Sequence, residues 1–148
     1  MINLDNVLSD WKTDSVINQN DLARSSVDTA TLHAKYLQLL AIAKLRLKKV
    51  KLEQKILLKQ KWKYYNGKMD QSEIEKLGWD YDPFEGLKVM KGEMDYYYDS
   101  DVEIQRSEEK IEYCKTLVET LHEIVETLRW RHQTIGNIIK WKQFESGG

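Results

Sequence analysis

Apolar positions recur along most of this chain at the three- and four-residue intervals of an α-helix. Leu4, Val7, Leu8 and Trp11 fall at i, i+3, i+4 and i+7, which predicts a short amphipathic helix over 3–13 with Asn3 as N-cap. A helix this short must dock on something, either the chain's own core or a neighbouring subunit. After a polar connector at 14–20, nothing breaks a helix from 21 to 65, and Asn66-Gly67 supplies a stop. Within that helix Tyr36, Leu40, Ala43, Leu47, Val50, Leu57 and Tyr64 form a heptad-like seam, interrupted at Gln54 and Lys61. Leu45, Leu52 and Ile56 lie on a different side, so the helix needs more than one partner.

A connector at 66–100 has another character. It holds the only proline, Pro83, and nine acids between Asp70 and Asp99, with one short helix expected over 71–77. Tyr96, Tyr97 and Tyr98 read as rings sealing the connector onto a helix rather than as a base-stacking platform, because Asp95 and Asp99 would repel phosphate. Ser100-Asp101-Val102-Glu103 has capping-box spacing and opens a second long helix over 101–145. One seam position reads Ile104, Ile111, Val118, Val125, His132, Ile139; the other reads Ser107, Cys114, Leu121, Leu128, Ile135, Lys142. Leu117, Ile124 and Ile138 widen the stripe beyond a two-stranded seam, which predicts packing against the first long helix and against another copy of the chain. The expected fold is a single all-α domain: an N-terminal arm at 1–20, then two long helices forming an antiparallel hairpin across the connector.

Charge changes this picture most in the first long helix. Ten basic residues lie between Lys44 and Lys68 against one acid, Glu53, in a chain of net charge −1. Lys44, Lys48, Lys51, Lys55 and Lys59 form a stripe that lacks the interleaved glutamates of an ordinary solvated face. In Lys59-Gln60-Lys61-Trp62-Lys63-Tyr64-Tyr65-Asn66-Gly67-Lys68 cations alternate with rings. Cations neutralise phosphates and rings stack on unpaired bases, so the segment reads as a polyanion site. The candidate DNA contacts are Lys48, Lys51, Lys55, Lys59, Lys61, Trp62, Lys63, Tyr64, Tyr65 and Lys68. On an unbroken helix Lys59 and Lys61 point to nearly opposite faces, which places Lys61 in the apolar seam. A second basic and aromatic cluster, Arg129 to His132 with Lys140 to Lys142, closes the last helix.

Other chemistry is missing. There is no phosphate-loop motif, the lone Cys114 sits in a seam position, and His33, His122 and His132 share no ligand spacing. No catalytic residue, metal or cofactor is expected. One cysteine fits a reducing compartment. The N-terminus has neither a basic nor an apolar signal region, and no apolar run reaches the roughly 18–20 residues of a membrane span. Competing readings are a coiled-coil assembly protein with a merely solvated lysine face and a duplex-binding architectural protein.

From about Asp21 to Gly147 the chain resembles the UvsY-type recombination mediators of tailed bacteriophages. The resemblance rests on Leu58 to Lys68, similar to a basic-x-basic element followed by Tyr-Tyr-x-Gly, and on the closing segment Arg131 to Phe144 with Ile135, Ile139 and Trp141. It implies a non-enzymatic helical protein that forms a closed homo-oligomeric ring and binds single-stranded DNA. Such proteins help load the phage recombinase onto DNA coated by the phage single-strand-binding protein, in the cytoplasm of the bacterial host. It also implies DNA contact by Lys59 and Lys61. Assembly would use the last helix, with Ile111, Val118, Leu121, Val125, Leu128, Ile135 and Ile139 as oligomerisation residues. The second basic position is lysine here where the family also uses arginine, which keeps the charge but loses the planar fork.

Overall fold

The computed structural model describes residues 2–147, which contain helices, turns and no strand. The helices are α1 (Leu4–Asp14), α2 (Leu22–Tyr65), α3 (Gln71–Leu77), α4 (Met94–Asp99, after a 3-10 turn at Lys91–Glu93) and α5 (Val102–Glu145). The short N-terminal helix and the two long ones follow the hydrophobic periodicity. The chain divides into two compact units, one built from the segment ending at Leu47 together with that starting at Cys114, the other from Lys48–Tyr113.

In the first unit α1 docks on the chain itself. Asn3 caps it by accepting from the Asn6 amide at 2.8 Å. Its one apolar face then places Val7 in a core with Tyr36, Leu40 and Ala43 of α2 and Leu117, Leu121, Ile124, Val125 and Leu128 of α5. Trp11 meets the edge of Tyr36, ring centres 5.4 Å apart. Full burial of side chains this size stabilises by about 1.5–3 kcal/mol each, so three helices that are marginal alone hold one another. Polar bonds close the end of this core. Tyr36 Oη and Lys35 Nζ both donate to Asp14 Oδ2 at 2.7 Å. The buried Arg131 donates to the carbonyls of Asp14 at 3.0 Å and Val16 at 3.4 Å. Burial pushes the Asp14 carboxyl up, but the bonds from Lys35 and Tyr36 outweigh it and hold the group below the usual carboxylate range.

The second unit is built differently. Here α2 and α5 run antiparallel, since Lys61 meets Asp101 while Glu53 meets Lys110. The end of α2 follows from Gly67. At φ 68° it adopts the left-handed conformation, and the bonds Gly67 N to Tyr64 O and Lys68 N to Lys63 O close a Schellman motif. The returning chain packs Met69 and Ile74 on Tyr64 and Tyr65, with Trp79, Phe84, Met94, Tyr97 and Tyr98 against them. The connector is therefore folded. It contains α4, which periodicity did not reveal, and the rings of Tyr97 and Tyr98 pack inward on Tyr65 as the acid-flanked pattern suggested, whereas Tyr96 stays exposed. The start of α5 corrects the capping-box expectation. Asp101, not Ser100, caps it, accepting from the Ile104 amide at 3.0 Å, while Ser100 Oγ donates back to the Tyr96 carbonyl.

Candidate nucleic-acid interface

All ten candidate DNA-contact residues lie in the second unit, on or just beyond the end of α2. Lys48, Lys51, Lys55, Lys59 and Trp62 follow one another at intervals of three, four, four and three residues. At about 100° per residue they share a sector roughly 80° wide. All five are exposed. The single acid of the stretch, Glu53, is drawn off by Lys110 at 3.7 Å, and among the described residues no acid pairs with Lys48, Lys51, Lys55 or Lys59. Trp62 stands 48% exposed at the end of the row, with Lys68 Nζ 4.6 Å above its ring. The result is a line of free ammonium groups ending in a ring with a cation on one face. Chemically, this arrangement can neutralise successive phosphates and offer a stacking surface to an unpaired base.

The other candidates are placed otherwise. Lys63 is half buried and pairs with Glu73 at 3.4 Å. Tyr64 and Tyr65 are corrected as base-stacking residues. Both are buried, Tyr64 Oη donates to the Asp80 carbonyl and Tyr65 Oη to Asp101 Oδ2, each at 2.6 Å. Burial first, then the Asp101 hydrogen bond, push the Tyr65 phenol far up. Lys61 sits apart from the exposed row. It lies in the seam as the helical angle required, 4% exposed, and its ammonium is ion-paired with Asp101 at 3.0 Å and Glu103 at 3.6 Å.

The candidate assembly residues also divide by burial. Ile111, Leu121, Val125, Leu128 and Ile135 are buried within the chain, and Val118 packs at the edge of the first unit's core, so these side chains are spent on the fold. Ile139 stays exposed, as do Trp130, Trp141 and Phe144 on α5 and Leu45, Leu52 and Ile56 on α2. Sequence reading merged these two sets because a wide apolar stripe does not say which part of it faces the chain's own helices.

Among the described residues no group of His, Cys, Asp or Glu could hold a metal ion, and no helix is long and apolar enough to cross a membrane. Paired long helices carrying an exposed basic row that ends in a tryptophan define a small all-helical protein with a surface complementary to a polyanion. The profile of the UvsY family, described as recombination, repair and ssDNA binding protein UvsY, matches residues 10–148. The chain belongs to the UvsY family. Its fold is similar to that of the bacteriophage T4 recombination mediator protein UvsY in two crystal lattices. One match has a TM-score of 0.80 at 18% identity and covers 99% of both chains. The other has a TM-score of 0.78 at 19% identity and covers 97% of this chain and 99% of that one. No curated protein sequence matches the chain.

Proposed function

We propose that this protein is a non-enzymatic recombination mediator that binds single-stranded DNA along the exposed face of α2. Lys48, Lys51, Lys55 and Lys59 meet phosphates, Lys63 and Lys68 add charge at the end of the row, and Trp62 stacks on a base. The observation that carries this reading is the single-sector row of unpaired lysines ending in Trp62. One row of four cations binds weakly. Repeating it around a homo-oligomeric ring raises avidity by roughly 10²–10⁴ through effective concentration. The apolar side chains left exposed on α2 and α5 are the surfaces such an assembly needs. Held in this way, a strand would be presented to the phage recombinase in place of the single-strand-binding protein, in the host cytoplasm.

The test is fluorescence anisotropy of a labelled single-stranded oligonucleotide across a salt series, with duplex as competitor. Replacing Lys51, Lys55 and Lys59 together by alanine should flatten the log–log salt slope by about 2 per subunit engaged, since each single-strand phosphate contact contributes about 0.7. Trp62→Ala should weaken binding and narrow the preference over duplex while leaving the slope intact. An unchanged slope in the triple variant returns α2 to a solvated face and favours a coiled-coil assembly protein without a nucleic-acid role.

A further inference from the structure

Lys61 stands between two cations of the basic row, yet its surroundings are those of a core residue. Its side chain is 5% exposed. The ammonium contacts three residues at once: Asp101 and Glu103 at the start of α5, and the face of Trp79 in the connector, 3.8 Å from the ring centre. Each partner is itself committed. Asp101 Oδ2 also accepts from Tyr65 Oη at 2.6 Å, and Asp101 Oδ1 caps α5 through the Ile104 amide at 3.0 Å. Glu103 Oε1 accepts from the Trp79 indole at 2.5 Å. Lys61, Asp101, Tyr65, Glu103 and Trp79 thus form one connected cluster inside the chain.

A phosphate drawn to this ammonium would have to approach two carboxylates. Withdrawing Lys61 toward solvent would leave the buried Asp101 carboxylate with its hydrogen bonds but without its cation, and uncompensated buried charge is costly to a fold. Lys59, two residues earlier, has no partner among the described residues and points about 160° away. The two lysines of the basic-x-basic element are thus chemically unlike.

We propose that Lys61 is a positioning residue that does not touch DNA: its ammonium locks the last turn of α2 to the start of α5 and to Trp79, and so fixes the direction in which Lys59, Trp62 and Lys63 project. The DNA readouts rest on the function proposed above; the structural readouts do not.

The test uses the full-length chain and four variants, Lys59→Ala, Lys61→Met, Asp101→Asn and the double Lys61→Met/Asp101→Asn. Asparagine keeps the helix cap. Each is followed by thermal unfolding and by oligonucleotide anisotropy across salt, below every unfolding midpoint. Lys59→Ala should keep the midpoint and lose salt slope. Lys61→Met should lower the midpoint by roughly 10 °C, the scale expected for breaking a buried pair, and keep the slope. Asp101→Asn should behave in the same way, and the double variant should recover part of the loss. The proposal is overturned by Lys61→Met with a wild-type midpoint and a reduced slope. It is equally overturned by Asp101→Asn that binds DNA more tightly with a steeper slope, the behaviour of an acid that merely shields a DNA-contacting lysine. If Lys61→Met does not fold, the Asp101→Asn arm decides. If Lys59→Ala keeps its slope, the DNA assignment of α2 loses support while the unfolding midpoints still judge Lys61.

Discussion

The two units of this protein use the same two long helices and hold them by different means. In the first, α1, α2 and α5 share an apolar core, and charged groups only close its end through Asp14 and Arg131. In the second, buried Val50, Ile104 and Ile111 are joined by a cluster of rings and by an ion pair, with Lys61 buried where the seam of α2 would otherwise carry an aliphatic residue and paired to Asp101 at the cap of α5. The difference teaches what each region has room for. Three helices can enclose an apolar core. A helix pair capped by a short folded connector encloses less, and fills its space with the rings of Tyr64, Tyr65, Trp79 and Phe84, the first three of which carry polar tips that also need partners. Lys61 is buried there, while Lys59 and Trp62 beside it in sequence stay on the outside.

The largest effect should come from the first unit. Leu121→Ala removes a fully buried side chain from the three-helix core and should cost about 2–5 kcal/mol, read as a drop in the thermal midpoint. A change in salt slope without a drop in midpoint would break the division of labour between the units.

Acid should expose the next difference. Asp14 in the first unit and Asp101 in the second both have carboxyls held below the usual range. In each, burial raises the pKa but is outweighed: by Lys35 and Tyr36 for Asp14, and by Tyr65, the Ile104 amide and Lys61 for Asp101. A folded pKa below the unfolded one of about 3.9 gives stability that is complete above that value. It is lost as pH falls through the folded pKa. The thermal midpoint should therefore be flat with respect to these groups above about pH 5 and fall below about pH 4. Asp101→Asn should make that fall shallower. A fall of undiminished steepness would assign it to Asp14 and the first unit alone.

The smallest effect should come from Gly67→Ala. A side chain there meets nothing within 4 Å, but the position holds φ at 68°, so the cost is conformational and about 1 kcal/mol. Because Gly67 closes α2 beside Trp62 and Lys68, the substitution should also weaken single-strand binding slightly. A gain in stability would show that the Schellman motif is not what ends the helix.

Much of the fold could be read from the chain because its signals are local. The length and end of α2 follow from the absence of glycine and proline between Leu22 and Tyr65 and from Gly67 just beyond. Asn3 as a cap, the helix at Gln71–Leu77 and the inward turn of Tyr97 and Tyr98 were legible for similar reasons. The shift of the α5 cap to Asp101 was not, since Ser100 and Asp101 are both good capping residues and only the fold chooses between them. Nor was the docking of α1, whose single apolar face suits any groove until Val7 and Trp11 find Tyr36.

The candidate site divides along the same line. Periodicity alone put Lys48, Lys51, Lys55, Lys59 and Trp62 on one side of a helix and Lys61 on the other, because the angle between residues is a property of the helix itself. What lies opposite each side is a property of the packed chain. Asp101 and Glu103, some forty residues further along, and Trp79 in the connector decide that Lys61 is buried and paired. The same packing encloses Tyr64 and Tyr65, and places most of the α5 seam inside the chain rather than between copies. Sequence determined which residues share a face; only tertiary structure decided which face meets water, since burial and pairing depend on neighbours distant in the chain.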